Sequence, residues 1–217
     1  MDLALSDSIM TRYKLVYFSV KGRGELIRWI LKLAEEEFED FRFTMTTWPE
    51  FKPSTPFGQA PTLEIDGKVY CQSMDICRFL ANKYGYNGDT LEEKAIVDMI
   101  VDHCEDMVTN VVKIFLERDN PERRQEMHTK YEKEELPVFL NNFEKLLEKN
   151  NSSNGWFVGD KMTWADLAVV HHTTDWMTMV KVTVPWDDYP LLNSLKEKVQ
   201  ALPQLQRWFK EMPQTPW

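Results

Sequence analysis

Apolar and polar positions alternate with a period of two in some stretches of the chain and recur with a period near 3.6 in others, and the changes of period mark out its elements. Tyr13-Lys14-Leu15-Val16-Tyr17-Phe18 is aromatic and branched, which predicts a strand ended by Ser19 and the glycines Gly22 and Gly24. From Glu25 to Ala34, Ile27, Ile30, Leu31 and Ala34 fall on one helical stripe. Phe38 to Thr44 predicts a second strand, and a helical crossover between two strands makes them parallel. The three prolines between Trp48 and Gly58 limit that stretch to short helical turns covering a sheet edge. Thr62–Ile65 and Lys68–Cys71, joined by Asp66-Gly67, predict a two-residue hairpin, because Asp-Gly supplies the positive φ angles of a primed turn. A helix from Ser73 to Tyr84 follows, with Asp75 in its first turn, where the helix dipole favours a carboxylate.

Tyr84-Gly85-Tyr86-Asn87-Gly88-Asp89-Thr90 has no apolar period, and everything after it reads as helix: Leu91 to Leu116, Pro121 to Lys149, Thr163 to Met179 and Leu191 to Leu202, with Pro203 and Pro213 punctuating the end. The chain therefore divides into a loose leader (1–11), a strand-and-helix unit (12–84) and an all-helical unit (91–217), an α/β plus all-α architecture. Charge divides at the same place: residues 1–84 hold 11 basic and 12 acidic side chains, residues 85–217 hold 15 and 23. The total of −9 argues against a nucleic-acid or anionic-membrane partner, since no basic patch interrupts the acidic field. Apolar runs shorter than ten residues fall well below the roughly 20 of a membrane-spanning helix, and Met1 to Ser6 lacks the basic start of a secretory signal. Cys71, Cys77 and Cys104 form neither a CxxC pair nor a ligand cluster, so a reducing cytoplasm is expected.

Candidate chemistry gathers at the end of the first strand, where Tyr17 is followed six residues later by Arg23. A tyrosyl hydroxyl beside a guanidinium suits an anion; the alternative is a half-buried sheet aromatic and a solvated arginine. Gln59-Ala60-Pro61 suggests a rigid turn, with a cis peptide at Pro61 exposing the Ala60 backbone to a peptide-like ligand. Gln72-Ser73 either receives a carboxylate on free helix amides or serves as a simple cap. Asp98, Asp102, Glu105 and Asp106 crowd carboxylates onto adjacent turns, and each like pair costs a few tenths of a kcal/mol, so something must offset them: solvent, a ligand cation or a partner's basic groups. The pair His171-His172 with Asp175 suggests a metal, since His171 and Asp175 share a helix face, but without a third ligand at helical spacing no metal site is expected. Eleven methionines and eight tryptophans read as core filling.

Taken together, Tyr13–Phe18 leading into Gly22-Arg23-Gly24-Glu25, then Trp48-Pro49-Glu50-Phe51-Lys52, Pro56-Phe57-Gly58-Gln59-Ala60-Pro61, Gln72-Ser73 and Thr163-Trp164-Ala165-Asp166-Leu167 resemble the cytosolic glutathione S-transferases, and within them the sigma class. The resemblance runs from about Tyr13 to the C-terminus. It implies a thioredoxin-like N-terminal domain, an all-helical C-terminal domain, a homodimer, and conjugation of glutathione to small hydrophobic electrophiles, with glutathione as co-substrate and no other cofactor. It makes Tyr17 the hydroxyl that donates to the glutathione sulfur and Arg23 its electrostatic helper. Trp48 and Lys52 hold the glycine end, Gln59 stands where the family often has lysine, and Ala60 pairs its backbone with the cysteinyl peptide beside a cis Pro61. Gln72 and Ser73 bind the γ-glutamyl carboxylate, and Asp106 reaches across the dimer to the γ-glutamyl ammonium. Phe18, Met107, Asn110 and Lys113 line the acceptor pocket, and Thr163 with Asp166 forms a capping box that serves folding.

The sigma branch also contains glutathione-dependent prostaglandin D isomerases and the soluble lens crystallins of cephalopods, and these are the two alternative readings. Prostaglandin-making members carry a tryptophan where the resemblance places Lys113, which argues against that substrate. Glu105 replaces one of the acidic residues through which they respond to divalent cations. The complete set Tyr17, Arg23 and Asp106 argues against a purely structural chain.

Overall fold

The computed structural model describes residues 11–150 and 154–215, so most of the leader assigned to residues 1–11 lies outside the described residues. Strands β1 (Tyr13–Phe18), β2 (Phe38–Phe43), β3 (Thr62–Ile65) and β4 (Lys68–Cys71) form a mixed sheet in the order β2-β1-β3-β4. β2 runs parallel to β1, as the crossover requires, while β3 pairs antiparallel with both β1 and β4. Helices α1 (Gly22–Leu33) and α3 (Ser73–Tyr84) pack on one another beside the sheet, and the short α2 (Trp48–Phe51) with a 3₁₀ turn at Lys52–Ser54 fills the proline-rich connection. Along β1 burial alternates, with Tyr13, Leu15 and Tyr17 buried and their neighbours half-buried, so the strand's period of two directs Tyr17 inward.

Among the described residues, every regular element beyond α3 is helical: α4 (Leu91–Leu116), α5 (Pro121–Lys130), α6 (Leu136–Lys149), α7 (Trp164–His171), α8 (Met177–Val180), α9 (Pro190–Gln200) and α10 (Pro203–Glu211). The two long helices expected at 121–149 and 163–179 are each interrupted by a π turn, at Tyr131–Glu135 and His172–Trp176. Pro203 does not close the chain's helical part; it opens α10 at the first helical position, where a missing N–H costs nothing. That helix buries Leu205 and Trp208, and the Trp208 indole N–H donates to Glu25 of α1 at 2.6 Å. Thr163 and Asp166 form the expected capping box: the buried Asp166 carboxylate accepts the Thr163 N–H at 2.6 Å and also the Phe157 N–H at 2.9 Å.

An ionic cluster is buried behind β1. Arg28, fully buried, pairs with Glu25 at 3.0 Å and Asp40 at 3.1 Å, and its guanidinium also donates to the Val20 carbonyl at 3.1 Å. Glu25 in turn accepts the indole N–H groups of Trp29 and Trp208. The loop between β1 and α1 is thereby held from beneath, which sets where Gly22 and Arg23 stand. Among the described residues, no helix is long and apolar enough to cross a membrane.

Candidate active site

The end of β1 turns directly onto the start of α1, and the turn is tight enough to require glycine. A Cβ on Gly24 would lie 2.5 Å from Tyr17 Cδ1, and one on Gly22, where φ is +39°, would lie 2.9 Å from the Tyr17 hydroxyl. With no side chains in the way, the backbone closes over the phenol ring and the Arg23 N–H donates to the Tyr17 oxygen at 3.1 Å. The oxygen therefore accepts from the backbone and keeps its own proton for another acceptor. Burial raises the Tyr17 pKa above its ordinary value, although the Arg23 N–H and the charges of Arg23 and Arg28 pull the other way. The group is a neutral phenol at physiological pH, in the state that donates.

Beside it opens a cavity of about 550 Å³ lined by Phe18, Arg23, Trp48, Gly58, Gln59, Ala60, Pro61, Gln72, Ser73 and Glu105. The Ala60-Pro61 peptide is cis. Gln72 donates to Gln59 at 3.3 Å across the rim and adopts a φ of +70° without being glycine, a backbone state that persists chiefly at ligand sites. Its side chain does not cap α3, and neither it nor Ser73 takes up the free amides of the first turn by a side-chain bond. Trp48 stacks on Phe43 at 5.1 Å, and the Lys52 stem passes within 3.3 Å of where a Gly58 Cβ would stand. Eight of the expected residues (Phe18, Arg23, Trp48, Gln59, Ala60, Pro61, Gln72 and Ser73) thus share one cavity, while Tyr17 and Lys52 do not line it but touch residues that do, Arg23 and Gly58.

Three acceptor-pocket expectations do not meet there. Met107 is fully buried in the core, Asn110 is bonded to Glu135 at 3.1 Å, and Lys113 is exposed; none of the three lines the cavity. The helix rotation explains this, because Glu105 is the residue of α4 that faces the cavity, and positions 109 and 112 follow it on that face.

The same rotation sets Glu105 apart from Asp98, Asp102 and Asp106, which share the opposite face of α4. Asp98 and Asp102 are met by Arg78 of α3 at 3.0 and 3.8 Å, which is the offset that the crowding demanded. With Asp98 and Asp102, Asp106 opens on a different cavity, of about 830 Å³, between α4 and α6, where His103, Asn142 and Lys145 stand nearby. Glu105 turns the other way, 2.5 Å from the Arg23 guanidinium and 3.2 Å from His172. Burial alone would raise its pKa, but His172 and Arg23 outweigh that and hold it at about 2. Asp175, read beside His171, is already engaged by Lys21 at 2.6 Å and His171 at 3.0 Å. Glu105 was legible only as a member of an acidic run, and His172 only as half of a histidine pair; the signal that joins them to Arg23 is absent from local spacing.

Two family models match the chain: "Glutathione S-transferase, N-terminal domain" over residues 13–82 and "Glutathione S-transferase, C-terminal domain" over residues 105–212. Among curated proteins, a probable glutathione S-transferase 7 of Caenorhabditis elegans is 36% identical over 214 residues, covering 96% of this chain and all of the relative. The hematopoietic prostaglandin D synthase of Gallus gallus is 34% identical, covering 95% of this chain and 99% of the relative. A solved structure of rat hPGDS complexed with a quinoline superposes with a TM-score of 0.84 at 31% identity, covering 95% of this chain and all of that one.

Proposed function

Since the chain belongs to the glutathione S-transferase family, we propose that the cavity beside Tyr17 holds glutathione as its thiolate and presents the sulfur to a small hydrophobic electrophile. The observation that carries this reading is the Tyr17 hydroxyl: neutral, buried, and already accepting from the N–H of Arg23, a residue that lines the cavity, so that its own proton is left to donate. The tripeptide has complementary groups around it. Gln72, Ser73 and the open first turn of α3 suit the γ-glutamyl carboxylate, the Ala60 backbone suits the cysteinyl peptide, and Trp48, Lys52 and Gln59 suit the glycine end. Asp106 lies on the other side of α4, so its contact with the γ-glutamyl ammonium would come from a second copy. That homodimer is supported by exposed apolar side chains nearby, Met99 on α4 and Phe79 on α3; gel filtration of a fully active monomer would refute it.

A thiol of pKa about 8.5 is thiolate in roughly one molecule of fourteen at pH 7.4. Lowering that pKa by about two units takes roughly 2.7 kcal/mol, within reach of one charge-assisted donor and a nearby guanidinium. The thiolate fraction then rises about twelvefold, but a Brønsted slope of roughly 0.4–0.5 takes back a factor of about six to ten. Holding the sulfur against the electrophile in an apolar site supplies the larger share. Tyr17→Phe is expected to lower turnover with a chloronitrobenzene at least tenfold and to move the kinetic pKa upward. An unchanged pH profile would remove Tyr17 from the mechanism, and failure to bind immobilised glutathione would return the chain to a structural role.

A further inference from the structure

His172 stands where α7 passes into its π turn, and both of its ring nitrogens face oxygens that only accept. Nδ1 lies 2.5 Å from the Ala168 carbonyl and Nε2 lies 3.2 Å from Glu105 Oε1. Glu105 Oε2 is 2.5 Å from Arg23, whose backbone N–H meets the Tyr17 hydroxyl. A continuous chain of polar contacts therefore runs from the helical domain into the thiolate cavity: Ala168, His172, Glu105, Arg23, Tyr17.

The π turn brings a second set of groups to the same segment. Trp176 lies 5.8 Å from the Arg23 guanidinium and stacks on His172, Asp175 holds Lys21, and His171 stands 3.2 Å from the Gly22 carbonyl. π turns within α-helices concentrate at functional sites.

Resting on the glutathione reading of the cavity, the geometry points to His172 as a positioning residue for the transfer reaction: by donating an N–H to Glu105 it shares that carboxylate's charge, and so sets how much of Arg23's positive field reaches the glutathione sulfur. Without the donor, Arg23 answers Glu105 alone and is drawn further into the ion pair. The charged groups around the ring are Glu105 of α4, Arg23 of α1 and the neighbouring His171, with Asp175 and Lys21 beyond His171. The imidazolium is the one state of the ring that makes both hydrogen bonds. Burial nevertheless pulls its pKa below the ordinary histidine value against the raising effect of Glu105, so the second bond is completed on the acidic side.

The test is the ultraviolet titration of the thiolate in the enzyme–glutathione complex. His172→Leu removes the donor and is expected to raise the bound thiol's pKa by roughly 0.5–1 unit, with about a three- to tenfold loss of kcat/KM below that pKa. His172→Gln, whose amide N–H reaches the Nε2 position, is expected to restore most of it. In a Glu105→Gln background the leucine substitution should have no further effect on the pKa, because the path runs through that carboxylate. Should the leucine variant not fold, His172→Asn, with an amide too short to reach Glu105, replaces it. An unmoved thiolate pKa in the leucine or asparagine variant overturns the proposal. So does an equal shift in the glutamine variant, or an equal shift in the Glu105→Gln background. Absence of any thiolate signal in the unsubstituted enzyme would instead refute the glutathione reading.

Discussion

Replacing Gly24 by alanine sets a methyl carbon 2.5 Å from Cδ1 and 2.9 Å from Cγ of Tyr17. Carbon atoms pack best at about 3.5–4.0 Å, so the overlap is close to 1 Å. The phenol cannot swing away freely: it is buried, with Phe18 edge-on at 5.6 Å and the Arg28 guanidinium 6.0 Å from its centre. Overpacking of this kind costs about 1–3 kcal/mol. Alanine in a helix returns up to about 1 kcal/mol relative to glycine. The net loss of about 0–2 kcal/mol lowers Tm by only a few degrees in a chain of this length. The hydroxyl is more sensitive, since a displacement of about 1 Å from the reacting geometry can cost on the order of a hundredfold in rate. Gly24→Ala should therefore remain folded while conjugation of glutathione to a chloronitrobenzene falls ten- to a hundredfold. Added to Tyr17→Phe, it should cost almost nothing more. Full activity in Gly24→Ala, or a full additional loss in the double variant, would refute the claim that this glycine acts by admitting the phenol.

Two further predictions concern stability. Glu105 has a folded pKa of about 2, below its unfolded value, so its contribution is present above about pH 4.5 and is lost as pH falls toward 2. That contribution is at most about 3 kcal/mol; urea unfolding at pH 5 and pH 3 should show a steeper loss in the unsubstituted chain than in Glu105→Gln, and parallel losses would exclude it. Arg28→Met leaves the buried Glu25 carboxylate without its cation, while Asp40 keeps Arg42 at 2.7 Å, and should cost about 3 kcal/mol. A urea midpoint equivalent to less than about 1 kcal/mol of loss would show that the cluster is not what holds the loop beneath the site.

The strands, the hairpin and the helices α3 and α4 were legible almost to the residue, because each is bounded by local chemistry: alternation in β1, Asp66-Gly67 between β3 and β4, Gly85 after α3, Thr90 before α4; α1 was legible too, but it starts at Gly22, three residues before Glu25, because the two glycines taken as breakers belong to its first turn. The same locality exposed Tyr17 and Arg23, since strand, glycines and helix start are contiguous. Helix α10 was missed because its apolar face is short and becomes informative only against α1, where Trp208 meets Glu25. The π turns were missed because neither holds a glycine or proline to mark a break in the helix.

What local patterning could not supply was rotation about α4. One residue turns a side chain by about 100° on a helix, and that turn sends Glu105 to the thiolate cavity, Asp106 to the opposite one and Met107 into the core. Which way each points depends on what packs against the helix. Arg23 and Glu105 are 82 positions apart and meet because the helical domain docks onto the sheet domain, whereas Glu105 and His172, 67 apart, meet because α7 and its π turn pack against α4 inside the helical domain; neither meeting is written in a local pattern.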